Sequence, residues 1–182
     1  MHHTVRLAAI AAAFLALGAQ AQVYVEGSYV PTKMTGDPDL SSAPKPSVFT
    51  GIIGYGLHPN LAVEGLLGLG LKKDTVNEIG TPYQVDFKIQ SMYGVYLKPR
   101  YQVTDAFELF ARLGYVKTKF KVNAPADSVY LSGSSTEGST AWGLGGNYAF
   151  DKNTYLTLGY NQFFKEDGLK IKGLNLGIGY KF

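Results

Sequence analysis

The final ten residues of the sequence alternate strictly between large apolar side chains and polar or small ones. The apolar positions are Leu174, Leu176, Ile178, Tyr180 and Phe182, and glycine, asparagine or lysine occupies every position beside them. A period of two is typical of a β-strand, because successive side chains point to opposite faces of a sheet. The pattern therefore predicts a strand with one apolar face.

The same alternation recurs upstream and predicts an all-β chain. The eight predicted strands cover residues 22–31, 48–57, 61–72, 84–103, 107–122, 140–150, 154–164 and 171–182. The fourth strand is unusually long, and Pro99 within it cannot donate a ladder hydrogen bond. We therefore expect a bulge or a turn close to this proline.

Short and long connections alternate between the predicted strands. The tight turns are His58-Pro59-Asn60, Thr104-Asp105-Ala106 and Asp151-Lys152-Asn153. The longer polar links are residues 32–47, 73–83, 123–139 and 165–170. This order is what an antiparallel up-and-down barrel requires if the long loops share one rim, and it is typical of transmembrane barrels with short turns on one side.

The second face of the strands decides between a water-soluble barrel and a membrane barrel. It carries four acids and four bases: Glu26, Glu64, Asp86, Lys88, Lys98, Arg100, Glu108 and Arg112. Glycines share this face, and they leave room for long charged side chains inside a narrow barrel. The apolar face has no charge over residues 107–115 or 174–182, where a lysine or arginine in lipid would cost roughly 2–4 kcal/mol. We predict that the apolar face contacts lipid and that the charges form an interior network. An exported soluble barrel with its charges outside is the alternative.

Aromatic residues and lysines mark the ends of the apolar face. Tyr148, Phe150 and Trp142 lie near the ends of one strand, as expected of aromatic girdles at the two membrane interfaces. Beyond the apolar runs, the same face continues with Lys117, Lys119, Lys121, Lys170 and Lys172. Two interpretations of these lysines stay open: contact with lipopolysaccharide phosphates, at about 1 kcal/mol per basic residue, or ordinary solvated side chains.

The first 21 residues have the features of a cleaved signal peptide. Arg6 precedes a run of 13 residues without a polar side chain, and Ala19-Gln20-Ala21 fits a small-x-small cleavage site. Thirteen helical residues reach only about 20 Å, which is short of the ~30 Å hydrocarbon core. We therefore predict a signal peptide at 1–21 and a barrel domain at 22–182.

The chain resembles the family of small outer-membrane β-barrels of the OmpA transmembrane-domain and OmpX type. The series from Leu174 to Phe182 is similar to the C-terminal assembly signal of that family, and Gly54-Tyr55 and Gly159-Tyr160 are weaker family-like features. The resemblance implies a Gram-negative outer membrane, export by the Sec route and insertion by the barrel-assembly machinery. We expect no peptidoglycan-binding domain, so the wall-tethering role of OmpA proteins is not carried over.

Composition and motifs favour a protein without catalytic or cofactor chemistry. The chain has no cysteine, which excludes disulfides and thiolate sites, and its formal net charge of +3 is too small to indicate nucleic-acid binding. His58 is the single histidine after the predicted signal peptide, and it lies in a tight turn without an adjacent serine. Ser91 has no histidine partner that the pattern places nearby. We expect no enzyme activity, no cofactor and no metal.

These features predict a role in envelope integrity or surface interaction. We expect a monomer that contacts outer-membrane lipid and lipopolysaccharide and that offers the links at 32–47 and 123–139 to an extracellular partner. A small channel for ions or solutes and a lipid-modifying enzyme are the alternative functions. Because paired interior charges obstruct a narrow lumen, we predict no large constitutive pore.

Overall fold

Antiparallel strands account for most of the described chain. The structure is a computed structural model that describes residues 22–36, 42–77, 84–126, 129–166 and 168–182. Its strands are β1 (Val23–Thr35), β2 (Ser47–His58), β3 (Leu61–Lys72), β4 (Asp74–Asn77), β5 (Gln84–Gln102), β6 (Phe107–Ala126), β7 (Val129–Ala149), β8 (Thr154–Glu166) and β9 (Leu169–Lys181). The predicted signal peptide at 1–21 lies outside the described residues and stays a prediction. Within the described ranges, no helix is long and apolar enough to cross a membrane.

The strands close into a barrel. β1 pairs with β9, with Tyr24 opposite Lys181, and β3 pairs with β5, with Leu61 opposite Pro99. The short strand β4 also pairs with β5 and so continues the line of β3. Within the described residues, the wall therefore closes on itself with eight strand positions, whereas β4 and residues 129–141 of β7 pair with a neighbouring strand on one side only. The predicted eight-stranded antiparallel up-and-down barrel is confirmed.

The two faces of the wall have the polarity that the alternation predicts. On β6, Leu109 and Leu113 are 47% and 58% exposed, whereas Glu108 and Arg112 beside them are 5% and 2% exposed. A water-soluble domain would bury the leucines and expose the charges. The apolar face therefore points outward, towards lipid, and the charged face points into the barrel.

Above this lipid-facing belt the polarity of β6 reverses. Val116 and Phe120 are buried inside, whereas Lys117 and Lys119 are exposed outside. The inner residues belong to an apolar core that fills the barrel towards its long-connection end; the core also includes Val30, Met34, Val48, Ile52, Leu66, Ile89, Met92, Tyr96, Phe163, Phe164 and Ile171. Beyond the belt, the barrel thus has the ordinary arrangement of a β-protein in water, with charged residues outside and apolar residues inside.

Several predicted loops are partly strand. β6 and β7 stay in register from Phe107 opposite Tyr148 to Ala126 opposite Val129. The prediction of a loop at 123–139 was therefore wrong. The backbone N–H and C=O groups of this segment pair across the two strands, and the polar composition of the segment gives no sign of that pairing. Strand β4 likewise interrupts the predicted link at 73–83. Residues 37–41 and 78–83 of the predicted links lie outside the described part of the chain.

A bulge in β5 changes which residues face inward. The register with β6 shifts between Ile89 and Ser91, so that one extra residue enters the strand there. Even positions such as Met92 and Lys98 face inward after the bulge, whereas Val85 and Ile89 face inward before it. The irregularity expected near Pro99 therefore lies closer to the start of the strand. The prediction that all even positions of 84–103 share one face was wrong.

Candidate functional site

Four charged side chains meet in the barrel interior near the short-turn end. Glu26 comes from β1, Glu64 from β3, Lys98 from β5 and Arg112 from β6, and each is at most 4% exposed. The Arg112 guanidinium contacts Glu26 through Nη2 at 2.5 Å and Glu64 through Nε at 2.6 Å. Lys98 Nζ lies 3.2 Å from Glu26 and 3.3 Å from Glu64. Each carboxylate therefore contacts both cations, and the four charges balance.

Two tyrosines complete the hydrogen bonding of the carboxylates. The Tyr24 hydroxyl donates to Glu64 Oε1 at 2.6 Å, and the Tyr155 hydroxyl donates to Glu26 Oε1 at 2.9 Å. A Cβ atom at Gly54 would overlap the Tyr24 ring, and one at Gly179 would overlap the Tyr155 ring. These two glycines therefore let the tyrosines lie flat against the inner wall and reach the network.

An aromatic ring lies against both cations of the network. Lys98 Nζ and Arg112 Cζ are each 4.5 Å from the centre of the Phe110 ring. The face of an aromatic ring attracts cations at such distances. Phe110 was missed as a member of the site, although it occupies the charged face of its strand between Glu108 and Arg112. Its position in the alternation, which it shares with Glu108 and Arg112, could have identified it as an interior residue.

Glu108 and Arg100 form a second layer closer to the short turns. Asn147 Nδ2 donates to Glu108 Oε1 at 2.8 Å, and Arg100 Nη1 lies 3.8 Å from Glu108 Oε2. Lys98 Nζ is 3.9 Å from Glu108, which links this layer to the central four charges. Arg100 also donates through Nε to the carbonyl of Pro59 in the turn after β2. The structure thus brings six of the eight predicted interior charges together.

Asp86 and Lys88 do not belong to the interior network, and their predicted placement was wrong. Both precede the bulge of β5, so they face outward. Asp86 lies 2.6 Å from Lys73 Nζ and accepts a hydrogen bond from the Thr75 hydroxyl. The hydrogen bonds from Lys73 and Thr75 lower the pKa of Asp86 below its usual range. Lys88 is exposed and lies directly opposite Lys121 on β6.

Lysines form two clusters on the outer face of the barrel above the lipid-facing belt, one on β5 and β6 and the other on β1 and β9. We call Lys33, Lys88, Lys117, Lys119, Lys121, Lys170 and Lys172 the lysine collar. Three cross-strand pairs are lysine opposite lysine: Lys88 with Lys121, Lys33 with Lys172, and Lys165 with the collar residue Lys170. Within the described residues, no collar lysine forms an ion pair with a carboxylate. Directly opposed like charges destabilise a sheet, so the collar leaves positive charge uncompensated on this surface.

The terminal apolar series lies on the lipid face of the strand that closes the barrel. Leu174, Leu176, Ile178, Tyr180 and Phe182 are all exposed on the outside of β9 or just after it. The Tyr180 and Phe182 rings meet edge to face with centroids 5.2 Å apart. This aromatic pair lies at the short-turn end, where an interfacial girdle is expected.

Catalytic and metal-binding arrangements are not found among the described side chains. All four carboxylate oxygens of Glu26 and Glu64 accept hydrogen bonds or ion pairs, so neither acts as a free base. His58 Nδ1 accepts a hydrogen bond from the backbone N–H of Asn60 within its turn. No described group of three or more potential ligands is placed to hold a metal ion. The network is best described as a charge-balanced filling of the lumen.

Comparison with known proteins agrees with this architecture. Residues 5–182 match the family model of the outer membrane protein β-barrel domain. The virulence membrane protein PagC of Salmonella typhimurium is 32% identical over 113 residues, which is 59% of this chain and 60% of PagC. The match thus spans less than two thirds of that relative.

Solved structures share the barrel. The attachment invasion locus protein Ail of Yersinia pestis superposes with a TM-score of 0.64 at 21% identity, covering 90% of this chain and 100% of Ail. Ail has also been solved in complex with the heparin analogue sucrose octasulfate, with a TM-score of 0.61. Neisserial surface protein A gives a TM-score of 0.62 at 18% identity, covering 90% of this chain and 100% of that protein. The chain belongs to the outer membrane protein β-barrel domain family and is a protein of the Gram-negative outer membrane.

Proposed function

We propose that this barrel is a closed, non-enzymatic envelope protein that binds polyanions at the cell surface. The binding end is the one with the long connections, which is extracellular in outer-membrane barrels, whereas the short turns are periplasmic. The observation that carries the proposal is the lysine collar, in which lysines oppose one another on neighbouring strands just above the lipid-facing belt. Phosphates of lipopolysaccharide lie at that height in an outer membrane. Each collar lysine near a charged membrane surface adds about 1 kcal/mol of attraction.

The related proteins support a surface role. PagC is described as a virulence membrane protein, and Ail, an attachment invasion locus protein, binds a sulfated heparin analogue. Phosphate and sulfate groups are both anions that a lysine cluster can bind, so lipopolysaccharide phosphates and the sulfates of an extracellular glycan are both candidate ligands. Binding measurements with each ligand distinguish the two.

Replacing Lys117, Lys119 and Lys121 together with glutamine is expected to weaken lipopolysaccharide binding by at least roughly tenfold, because about 1 kcal/mol is lost per lysine. Binding is measured with the barrel in nanodiscs, using purified lipopolysaccharide and, separately, soluble sucrose octasulfate. Lys152→Gln, in a short turn at the opposite rim, is the matched control and should bind normally. Loss of octasulfate binding alone would assign the collar to glycans, and unchanged binding of both ligands would refute the proposal.

The filled interior supports a barrier rather than a channel. The charge network occupies the lumen near the periplasmic end, and the apolar core occupies it above. Eight strands leave an interior only wide enough for side chains. In planar bilayers, we expect no more than brief, small openings. A steady conductance would contradict the closed interior and favour the small-channel alternative.

We extend the proposal to the export of the protein and its insertion into the outer membrane. Residues 1–21 direct export through the Sec route and are removed, and the barrel-assembly machinery recognises the exposed series that ends in Tyr180 and Phe182. The protein then acts as a monomer. The support is the lipid-facing position of that series on the closing strand β9, together with the small-x-small pattern at Ala19 and Ala21.

A further inference from the structure

A cavity of about 840 Å³ opens at the extracellular end of the barrel, above the apolar core. Residues of six strands and of the segment 42–44 line it, among them Phe120 and Phe164, whose rings meet edge to face with centroids 5.4 Å apart. Met34, Phe87 and Leu169 add further apolar walls. The volume falls within the roughly 300–1,000 Å³ that small-molecule sites occupy.

One acidic side chain gives this apolar cavity a charge preference. Glu137, an exposed residue, is the charged residue among the side chains that line it, and the Ser135 hydroxyl donates a hydrogen bond to its carboxylate. Glu137 lies on β7 directly opposite Thr118, which places it diagonally from Phe120. The collar lysines are on the other face of the wall, so they do not neutralise the cavity.

A buried hydroxyl beside Glu137 is also unused. Thr118 is fully buried, and its hydroxyl has no hydrogen-bond partner among the described residues. Most buried polar groups are hydrogen-bonded. Thr118 lies outside the cavity lining, so its hydroxyl is not counted among the contacts of the site.

We propose that this cavity binds a small organic cation, an ammonium group attached to an aromatic or branched apolar body. The phenylalanine rings take up the apolar body and attract the cation through their faces. The Glu137 carboxylate supplies the opposite charge. Small hydrated metal cations are disfavoured by the apolar walls, and anionic amphiphiles such as fatty acids are disfavoured by the carboxylate.

The test compares a cation with its uncharged counterpart. Residues 22–182 in phosphatidylcholine nanodiscs are titrated with benzyltrimethylammonium, with the isosteric hydrocarbon neopentylbenzene and with the anion benzenesulfonate, and NMR shifts are corrected for empty nanodiscs. We expect the cation to bind roughly tenfold more tightly than the hydrocarbon. Equal binding of the two, or tighter binding of the anion, would overturn the proposal.

Variants locate the binding site. Glu137→Gln and Phe120→Leu are each expected to weaken benzyltrimethylammonium binding by about tenfold, whereas Glu166→Gln, at the same rim but outside the cavity lining, should leave it unchanged. The Phe120→Leu change keeps an apolar side chain. Folding of each variant is checked on SDS gels, where a folded barrel migrates differently in boiled and unboiled samples. If Glu137→Gln binds normally, or if Glu166→Gln weakens binding equally, the site is not this cavity.

Discussion

An Arg112→Met variant is expected to lose about 3–5 kcal/mol of folding free energy, the cost of breaking a buried ion pair from one side. Arg112 contacts both central carboxylates and is 2% exposed. Without it, Glu26 and Glu64 share the single positive charge of Lys98, and one buried negative charge is left uncompensated. The free energy is measured by urea-induced unfolding in lipid vesicles, followed by the fluorescence of Trp142, the single tryptophan of the chain.

A second change separates loss of charge balance from loss of packing. Adding Glu64→Gln to Arg112→Met leaves one acid and one base at the centre, Glu26 and Lys98, which are 3.2 Å apart. This double variant should therefore recover a substantial part of the lost stability. Lys117→Met, on the outer face, is the control and should change the stability little. A loss below about 1 kcal/mol in Arg112→Met, or an equal loss in the double variant, would contradict the account.

A Leu158→Arg variant is expected to lose about 2–4 kcal/mol, because its charge would lie near the middle of the lipid-facing belt. Leu158 is on the outer face of β8 between Leu156 and Tyr160, and it is 55% exposed. The same substitution at Leu71, at the extracellular end of β3, should cost only about 0–1 kcal/mol. Both variants are unfolded by urea in the same vesicles. Equal costs at the two positions would show that residue 158 does not face the bilayer interior.

The wall of the barrel was predictable because lipid imposes a simple rule. Each strand in the belt must carry an apolar outer face. The apolar positions Leu109 and Leu113 on β6 therefore face outward, and the alternating positions Glu108 and Arg112 face inward. The central charges follow from the same parity. The alternation of side chains does not predict which charges contact one another across the lumen, because those contacts depend on the stagger of the strands around the closed barrel.

The errors arise where the backbone departs from strict alternation. The bulge at Ile89–Ser91 moves Asp86 and Lys88 to the outside, and nothing in the side chains there distinguishes a bulged strand from a regular one. The continuation of the β6–β7 hairpin into residues 123–139 was missed, because the pairing there depends on backbone groups rather than on an alternation of side chains. The apolar upper interior had a visible signal, since Val116 and Phe120 alternate with lysines. That reversal marks the height at which the surroundings change from lipid to water.

The inside-out arrangement can be measured along a single strand. The chain has no cysteine, so one cysteine at a time can be introduced at residues 108–121 and labelled with a nitroxide. Collision with lipid-soluble oxygen and with a water-soluble nickel chelate then reports the surroundings of each position. Labels at 109, 113 and 115 are expected to collide with oxygen, labels at 108 and 112 with neither reagent, and labels at the outward positions 117, 119 and 121 with the chelate. Oxygen contact at 108 and 112, with 109 and 113 shielded, would contradict the inside-out arrangement.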